Sequence, residues 1–416
     1  MIIYVKLQLV NKYFTKKIDI KLILLFSVLI IFGLINLYSV DYKNLLVFNK
    51  QLKFSIISVI TFIIIIIINW RIIYYFINIS YIISIILLIL VLVIGDVING
   101  AKSWLSIGEY GIQPSEFAKI TTCLIVAKFI STKKKINLNN QLILISIISA
   151  PIFLTILQPD LGSVCTFIAF IIVFFRFKLF EKTMITSLII ILGSISIIFI
   201  NKIYLFIILV LIMIMKIKNI KKNKFQNILK RIIYFTLIIT AINTSEYAYQ
   251  NILNDYQKKR INIILGIESD PLGIGYNLAQ SKIAIGSGGL SGKGFLQGTQ
   301  TKFNFIPEQQ TDFVFCAIGE EWGFIGAVLI IIIYIMLIFR ILFLSEKNKN
   351  NIVKAYGYSI ASFLFIHVVL NISMTIGLFP TIGIPLPFMS AGGSSLISFS
   401  IMIGIFINFY SRINYY

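Results

Sequence analysis

The chain has 416 residues, of which 58% are hydrophobic, and a formal net charge of +21. That apolar share lies well above the roughly 45–50% of soluble domains, and apolar runs recur along the chain, which excludes an ordinary soluble domain and points to one polytopic membrane domain. The charge does not argue for nucleic acid, because the Lys are scattered among Ile and Asn, so no nucleic-acid partner is expected.

Five Lys precede residue 22, and no small-residue cleavage pattern follows the run 22–40, which therefore reads as an uncleaved first span. Further spans are predicted at 53–70, 73–94, 115–131, 141–157, 161–177, 183–200, 203–216, 232–246, 313–341, 355–378 and 388–411, with 203–216 short enough to be half of a helical hairpin. Backbone groups cannot stay unpaired in lipid, so the expected fold class is all-α, a transmembrane helical bundle. With the N-terminus in the cytoplasm, most Lys and Arg fall on the inner side, as the positive-inside rule asks, and the C-terminus is then cytoplasmic too. The acids sort to the outer side. The stretch 216–231, "KIKNIKKNKFQNILKR", reads as a cytoplasmic loop drawn to anionic lipid. Two outward segments, 95–114 and 247–312, are rich in Gly and polar residues, and loops of that length are usually functional or disordered. The second also carries Tyr, Phe and Ile, which favours ordered packing at the membrane face.

Cys123, Cys165 and Cys316 sit in or beside apolar runs without metal-ligand spacing and read as buried thiols. The single histidine, His367, lies mid-helix and reads as a packed residue, which removes zinc and His-triad mechanisms from consideration.

Charged residues within spans are costly, so each is a candidate for function. Glu116 and Lys119 in "QPSEFAKITT" are three apart and share one helix face. They are either a neutralising pair that fixes packing or a contact for an anionic substrate. Asp312, at the outer entrance to "FVFCAIGEEWGF", is either an N-cap or a catalytic carboxylate. Glu320 follows about 12 Å down that helix and Glu321 points away from it; three acids on one outer half-helix exceed what capping requires. Asp160 in "LQPDLGS" suits a turn and N-cap. "IGSGGLSGKG", with Lys282 and Lys293 in and before it, is a weak candidate for a backbone phosphate nest, since it lacks Walker spacing. "GIPLPFMSAGGSSLISF", 383–399, is either a protected re-entrant turn or the lining of a substrate groove.

The stretches "NGAKSWL", "QPSEFAKI", "QPDLG", "DYQKKR", "ESDPLGIGYNLAQSKIAIGSGGLSGKGFLQGTQ", "PEQQTDFVF", "GEEWGFIG" and "GIPLPFMSAGGSS" together resemble the SEDS family. "QSKIAIGSGGL" favours its rod-shape branch over the division paralogue. The match covers most of 20–180 and 250–410, and implies a SEDS-type bundle of about ten core helices with a large extracytoplasmic catalytic loop, 247–312. Between those parts the family usually has one span, so 183–249 is read as an insertion of two further helices. Its even number keeps the catalytic loop outside.

The resemblance implies a peptidoglycan glycosyltransferase at the outer face of the cytoplasmic (inner) membrane, polymerising lipid II during cell elongation. Asp312 matches the family's essential aspartate, and Glu116 and Lys119 its intramembrane acid and base. A sugar hydroxyl needs a base, which Asp312 would supply. The departing pyrophosphate needs cations, for which Lys102, Lys282, Lys293 and a divalent ion, Mg or Mn, are the candidates, with Lys119 either joining them or orienting Glu116. Trp104, Asp160 and Glu320 complete the expected substrate contacts. The implied partners are a class B penicillin-binding protein and other elongation-complex proteins. A lipid II flippase and a non-catalytic scaffold are the competing functions.

Overall fold

The computed structural model describes residues 18–98, 100–108, 110–133, 138–179, 275–303 and 305–413, with part of 236–273. The chain divides into two compact units, Met1–Val173 with Ser269–Tyr416, and Phe174–Glu268. The spans expected at 183–200, 203–216 and 232–246 fall wholly or largely outside the described residues.

The first unit begins with α1 (Ile20–Val40), α2 (Leu46–Ile67) and α3 (Trp70–Ile94). Strands β1 (Asp96–Ile98), β2 (Ala101–Ile107) and β3 (Tyr110–Ile112) follow, then α4 (Pro114–Thr132), α5 (Leu138–Leu157), the short α6 (Leu161–Thr166) and α7 (Ala169–Arg176), within which the first unit's stretch ends at Val173. The second unit holds α8 (Asp255–Ile264). Back in the first come α9 (Tyr276–Gly288), the one-turn α10 (Thr299–Lys302), α11 (Val314–Lys347), α12 (Asn351–Ile376) and α13 (Gly393–Arg412). Among the described residues seven helices are long and apolar enough to cross a membrane: α1, α2, α3, α5, α11, α12 and α13.

The predicted spans over the described residues all appear as helices, but α4 is not among the seven. It carries Glu116, Lys119 and Lys128, and most of its residues are buried, because it packs against α3, α12, α5 and α13 instead of facing lipid. The predicted span 161–177 is two helices, α6 and α7. α12 and α13 form the centre: 67% and 78% of their apolar windows are buried, against 22% in α3 and α5. Apolar side chains point outward all along α2 and α3, including Ile56, Ile60, Ile63, Ile86 and Ile89, as suits helices whose outer face meets acyl chains.

Segment 95–114, read from sequence as an irregular outward loop, is a three-stranded antiparallel sheet in the order β1-β2-β3. Asp96 pairs with Trp104, and Leu105 with Ile112. Trp104 lies flat against Gly111, where a Cβ would come within 2.9 Å of its ring.

At two helix ends in this bundle, side chains meet the loose backbone groups. Asp19 caps α1 by accepting from Leu22 N at 2.8 Å and binds Arg340 of α11 through both carboxylate oxygens. Burial alone raises the Asp19 pKa, but the hydrogen bonds from Arg340 and Leu22 outweigh it, so the carboxyl is held below its usual value. At the end of α2, Asn408 Nδ2 donates to the carbonyls of Ile65 (2.7 Å) and Ile68 (2.6 Å), and Arg412 donates to Ile66 and Ile68. These are carbonyls that a helix C-terminus otherwise leaves unpaired. Asn408 is fully buried. Replacing it by alanine removes the donor to Ile65 O, while Arg412 still reaches Ile66 O and Ile68 O, and the Asn408→Ala protein is expected to lose about 1–3 kcal/mol in a thermal or denaturant unfolding series.

Candidate functional site

The site is built around α12. Its residues His367 and Asn371 are one helical turn apart, on one face and fully buried. They reach in two directions, toward the charged start of α4 and toward the turn that carries Asp312.

On the α4 side, Pro114 opens the helix and places Glu116 in its first turn, where the positive end of the helix dipole favours an acid. Lys119 Nζ lies 2.7 Å from Glu116 Oε1, and the two side chains are 1% and 3% exposed. The second carboxylate oxygen accepts from Ser398 Oγ of α13 at 3.3 Å. The ammonium also lies 3.1 Å from His367 Nε2, while His367 Nδ1 is 3.4 Å from the carbonyl of Pro385. An ammonium has only protons to offer, so with Lys119 charged Nε2 must accept and the ring proton sits on Nδ1, facing Pro385. The histidine is buried, as its sequence context suggests, yet both ring nitrogens belong to a polar chain running Ser398, Glu116, Lys119, His367, Pro385.

On the other side, residues 308–313 form a turn in which the amides of Asp312 and Phe313 both donate to Glu308 O at 3.1 Å. The N-cap position of α11 is Phe313, one residue later than the sequence suggests for Asp312, and Phe313 makes no capping side-chain bond. Its ring instead joins Ala284, Ile306 and Cys316 in a small apolar core that fixes the turn against α9. Asn371 Nδ2 donates both to Asp312 O at 2.9 Å and to Ile384 O at 2.7 Å. The Asp312 carboxylate is half-buried and faces Gly383, where a Cβ would stand 3.3 Å from Oδ2.

Segment 383–392 is irregular and mostly buried. Gln51 of α2 donates to Ser390 O and accepts from Gly392 N. Tyr334 of α11 donates to Pro387 O, Ser390 Oγ accepts from Leu386 N, and Ala391 N donates to Gln310 O. Side chains of α2, α11 and α12 thus stand in for the missing helical bonds.

Lys293 and Glu320 are brought together, but with each other. Lys293 Nζ is 2.7 Å from Glu320 Oε1, and the same carboxylate accepts from Gln300 N (2.8 Å) and Thr301 N (2.9 Å) at the start of α10. α11 is broken at Gly323 (φ 64°, ψ −164°). The carbonyls of Glu320 and Glu321 accept from Lys293 N and Gly294 N, and the amides of Phe324 and Ile325 donate to Gly289 O and Leu290 O. The glycine loop is therefore sewn into a helix break, and amides suggested as a phosphate nest are already bonded. Gly292 and Gly323 have positive φ, and a Cβ on either would strike the other strand of this junction. Glu321, fully inside the bundle, accepts from Ser39 of α1.

The remaining predicted residues are spread out. Asp160 caps α6 through Ser163 N (2.9 Å) and accepts from Gln113 Nε2 (3.0 Å), tying α6 to the start of α4. Lys102 Nζ donates to Val93 O at 2.9 Å. Lys282 of α9 is exposed and lies over Gly377 at the end of α12, with no ion pair among the described residues. Those residues hold no group of three or more His, Cys, Asp or Glu placed to bind a metal.

The FtsW/RodA/SpoVE family, described as cell cycle protein, matches residues 18–227 and 203–414. The chain belongs to this family. Peptidoglycan glycosyltransferase MrdB of Escherichia coli (strain K12) is 34% identical over 333 residues, covering 80% of this chain and 77% of that protein. Peptidoglycan glycosyltransferase RodA of Treponema pallidum (strain Nichols) is 30% identical over 370 residues, covering 79% and 81%. Among solved structures, the Thermus thermophilus rod shape determining protein RodA matches with a TM-score of 0.64 at 22% identity over 95% of this chain and 97% of that one. A chain from work on the structural coordination of polymerization and crosslinking by a peptidoglycan synthase complex matches with a TM-score of 0.71 at 24% identity, over 95% and 98%. These two likenesses establish a shared fold. The chain is a multi-pass membrane protein with a SEDS-type helical bundle.

The buried pair makes a sharp prediction. Lys119→Met leaves Glu116 buried without its counter-ion, with only Ser398 donating to it among the described residues, and is expected to cost about 3–5 kcal/mol of stability, while Glu116→Gln with Lys119→Met recovers most of it. Thermal unfolding of the detergent-purified variants measures both.

Proposed function

We propose that this chain is a peptidoglycan glycosyltransferase that polymerises lipid II into β-1,4 glycan strands at the outer face of the inner membrane during cell elongation, with Asp312 as general base. The carrying observation is the pair of hydrogen bonds from Asn371 to the carbonyls of Asp312 and Ile384, which fixes the backbone of Asp312, whose half-buried carboxylate faces Gly383. The names of the MrdB and RodA relatives support the reaction class.

The 4-hydroxyl of one lipid-linked disaccharide gives its proton to the Asp312 carboxylate as its oxygen bonds to the anomeric carbon of the other. The bond from that carbon to the polyprenyl pyrophosphate breaks, and the pyrophosphate departs with the electron pair. Attack opposite the leaving group inverts the anomeric centre. A positioned base supplies about 10²–10⁴-fold. Gly383, lacking a Cβ, leaves room for the acceptor beside Oδ2.

The leaving pyrophosphate carries its own charge and needs cations in place of an acid. Lys119 is committed to Glu116 and His367, Lys293 to Glu320, and Lys102 to a backbone carbonyl. Lys282 presents the most available ammonium, over Gly377, six residues and about 9 Å along α12 from Asn371. A divalent ion, Mg²⁺ or Mn²⁺, would neutralise pyrophosphate charge; the donor set suits one carried by phosphate oxygens and water, with at most one or two carboxylates from the protein. Glu116 and Lys119 act from within the bundle, holding His367 and the Pro385 carbonyl in place.

A class B penicillin-binding protein supplies crosslinking, other elongation-complex membrane proteins assemble with the pair, and both termini lie in the cytoplasm.

Purified protein with labelled lipid II tests the reading: polymer forms with the parent, and Asp312→Asn lowers the rate by about 10²–10⁴-fold. Lipid II crossing vesicle membranes without polymer would mark a flippase, and neither activity a scaffold. Asn371→Leu is expected to lower kcat about 10²-fold with little change in KM, since it loosens the base and leaves the substrate contacts.

A further inference from the structure

The outer end of α1 carries a feature that the glycosyl transfer does not use. Ile31, Leu34, Ile35 and Tyr38 of α1, with Phe48 of α2 and Phe295 of the glycine loop, line an apolar groove of about 250 Å³. The α1 residues span about 10 Å of helix. Tyr38 meets Phe48 edge-on at 5.3 Å and stacks with Phe295 at 6.5 Å. Trp322, just before the helix break, lies 6.2 Å from Phe295 and 5.2 Å from Phe32.

Above Tyr38, α1 ends and the chain turns through residues 41–44. Lys43 of that turn sits over the ring of Phe303, 5.7 Å from its centroid, and Lys302 of α10 sits over Tyr42 at 5.4 Å. Ser39 Oγ accepts from Leu296 N at 3.3 Å, so the turn and the glycine loop are held together where the groove ends. Neither ammonium has a carboxylate partner among the described residues.

We propose that this groove is a binding site for one anionic phospholipid of the phosphatidylglycerol class, with an acyl chain along α1 and the phosphate between Lys43 and Lys302. The apolar groove and the cation pair match the two halves of such a molecule. The Phe303 and Tyr42 rings lie under the two ammonium groups, and a ring face takes up only part of an ammonium's donor capacity, which leaves N–H donors for phosphate oxygens. The groove shares no residue with Glu308, Asn371 and Gly383, which lie beside Asp312. The proposed occupant is a resident lipid, distinct from the reacting one. Its effect is to fasten α1 to the loop that closes on Glu320.

Trp322 is the reporter. The chain has three Trp, so the full-length protein with Trp70→Phe and Trp104→Phe keeps Trp322 alone. It is placed in phosphatidylcholine bilayers and titrated with phosphatidylglycerol or phosphatidylcholine brominated on the acyl chain. Half-quenching is expected at a mole fraction roughly thirty-fold lower for phosphatidylglycerol, from about five-fold per lysine at a membrane surface. Lys43→Gln with Lys302→Gln is expected to remove the preference, and Lys43→Arg with Lys302→Arg to keep it. Equal quenching by the two lipids, or a preference untouched by the Gln pair, overturns the proposal. Displacement of the brominated lipid by an equal amount of polyprenyl phosphate also overturns it, by giving the groove to the reaction's own lipids.

Discussion

A backbone that leaves its helix inside a membrane bundle must find new hydrogen-bond partners from its neighbours, and this constraint organises the candidate site. Residues 383–392 run irregularly through the bundle because Gln51, Tyr334 and Asn371 answer their carbonyls and amides. Asn371 serves twice: the same amide that satisfies Ile384 also holds Asp312. The site is the place where two irregular stretches share one side chain, and its geometry follows from hydrogen-bond accounting more than from shape.

The charges within the bundle are organised in the same way. A buried ion pair such as Glu116 and Lys119 is weak evidence for stability, since desolvation offsets most of its attraction. What it does is define direction. Lys119 forces His367 Nε2 to accept, which sends the opposite ring proton toward Pro385. A hydrophobic replacement would pack α4 against α12 equally well but would not specify how the 383–392 segment sits.

Much of the fold was legible in the sequence because apolar runs of span length have few alternatives in lipid. The sheet at 96–112 was not, because its strands are short and punctuated by Gly, and the polar content of 95–114 reads as loop. Asp312, Glu116 and Lys119 stood out as charges in apolar surroundings. Asn371 did not: a lone Asn in a helix says nothing of carbonyls 59 and 13 residues away. Lys293 was legible as a cation, whereas its partner, Glu320, lies 27 residues on, a pairing no local spacing reveals. The glycines of 286–294 read as a weak candidate for a phosphate nest, whereas their bonds to a broken helix more than 25 residues on follow from no local spacing. His367 was rightly placed in the interior, and its part in a polar chain depends on which helices meet there.

The interruption at Gly323 has a mechanical corollary. Above it, the first turns of α11 are bonded to the glycine loop as firmly as to their own helix; below it, more than twenty residues run on toward Lys347. A rod severed in this way passes little twist or tilt from its lower shaft to its tip. The long segment takes its position from Tyr334 on Pro387 and Arg340 on Asp19, while the tip, with Asp312 at its edge, keeps its bearings from α9, α12 and the loop.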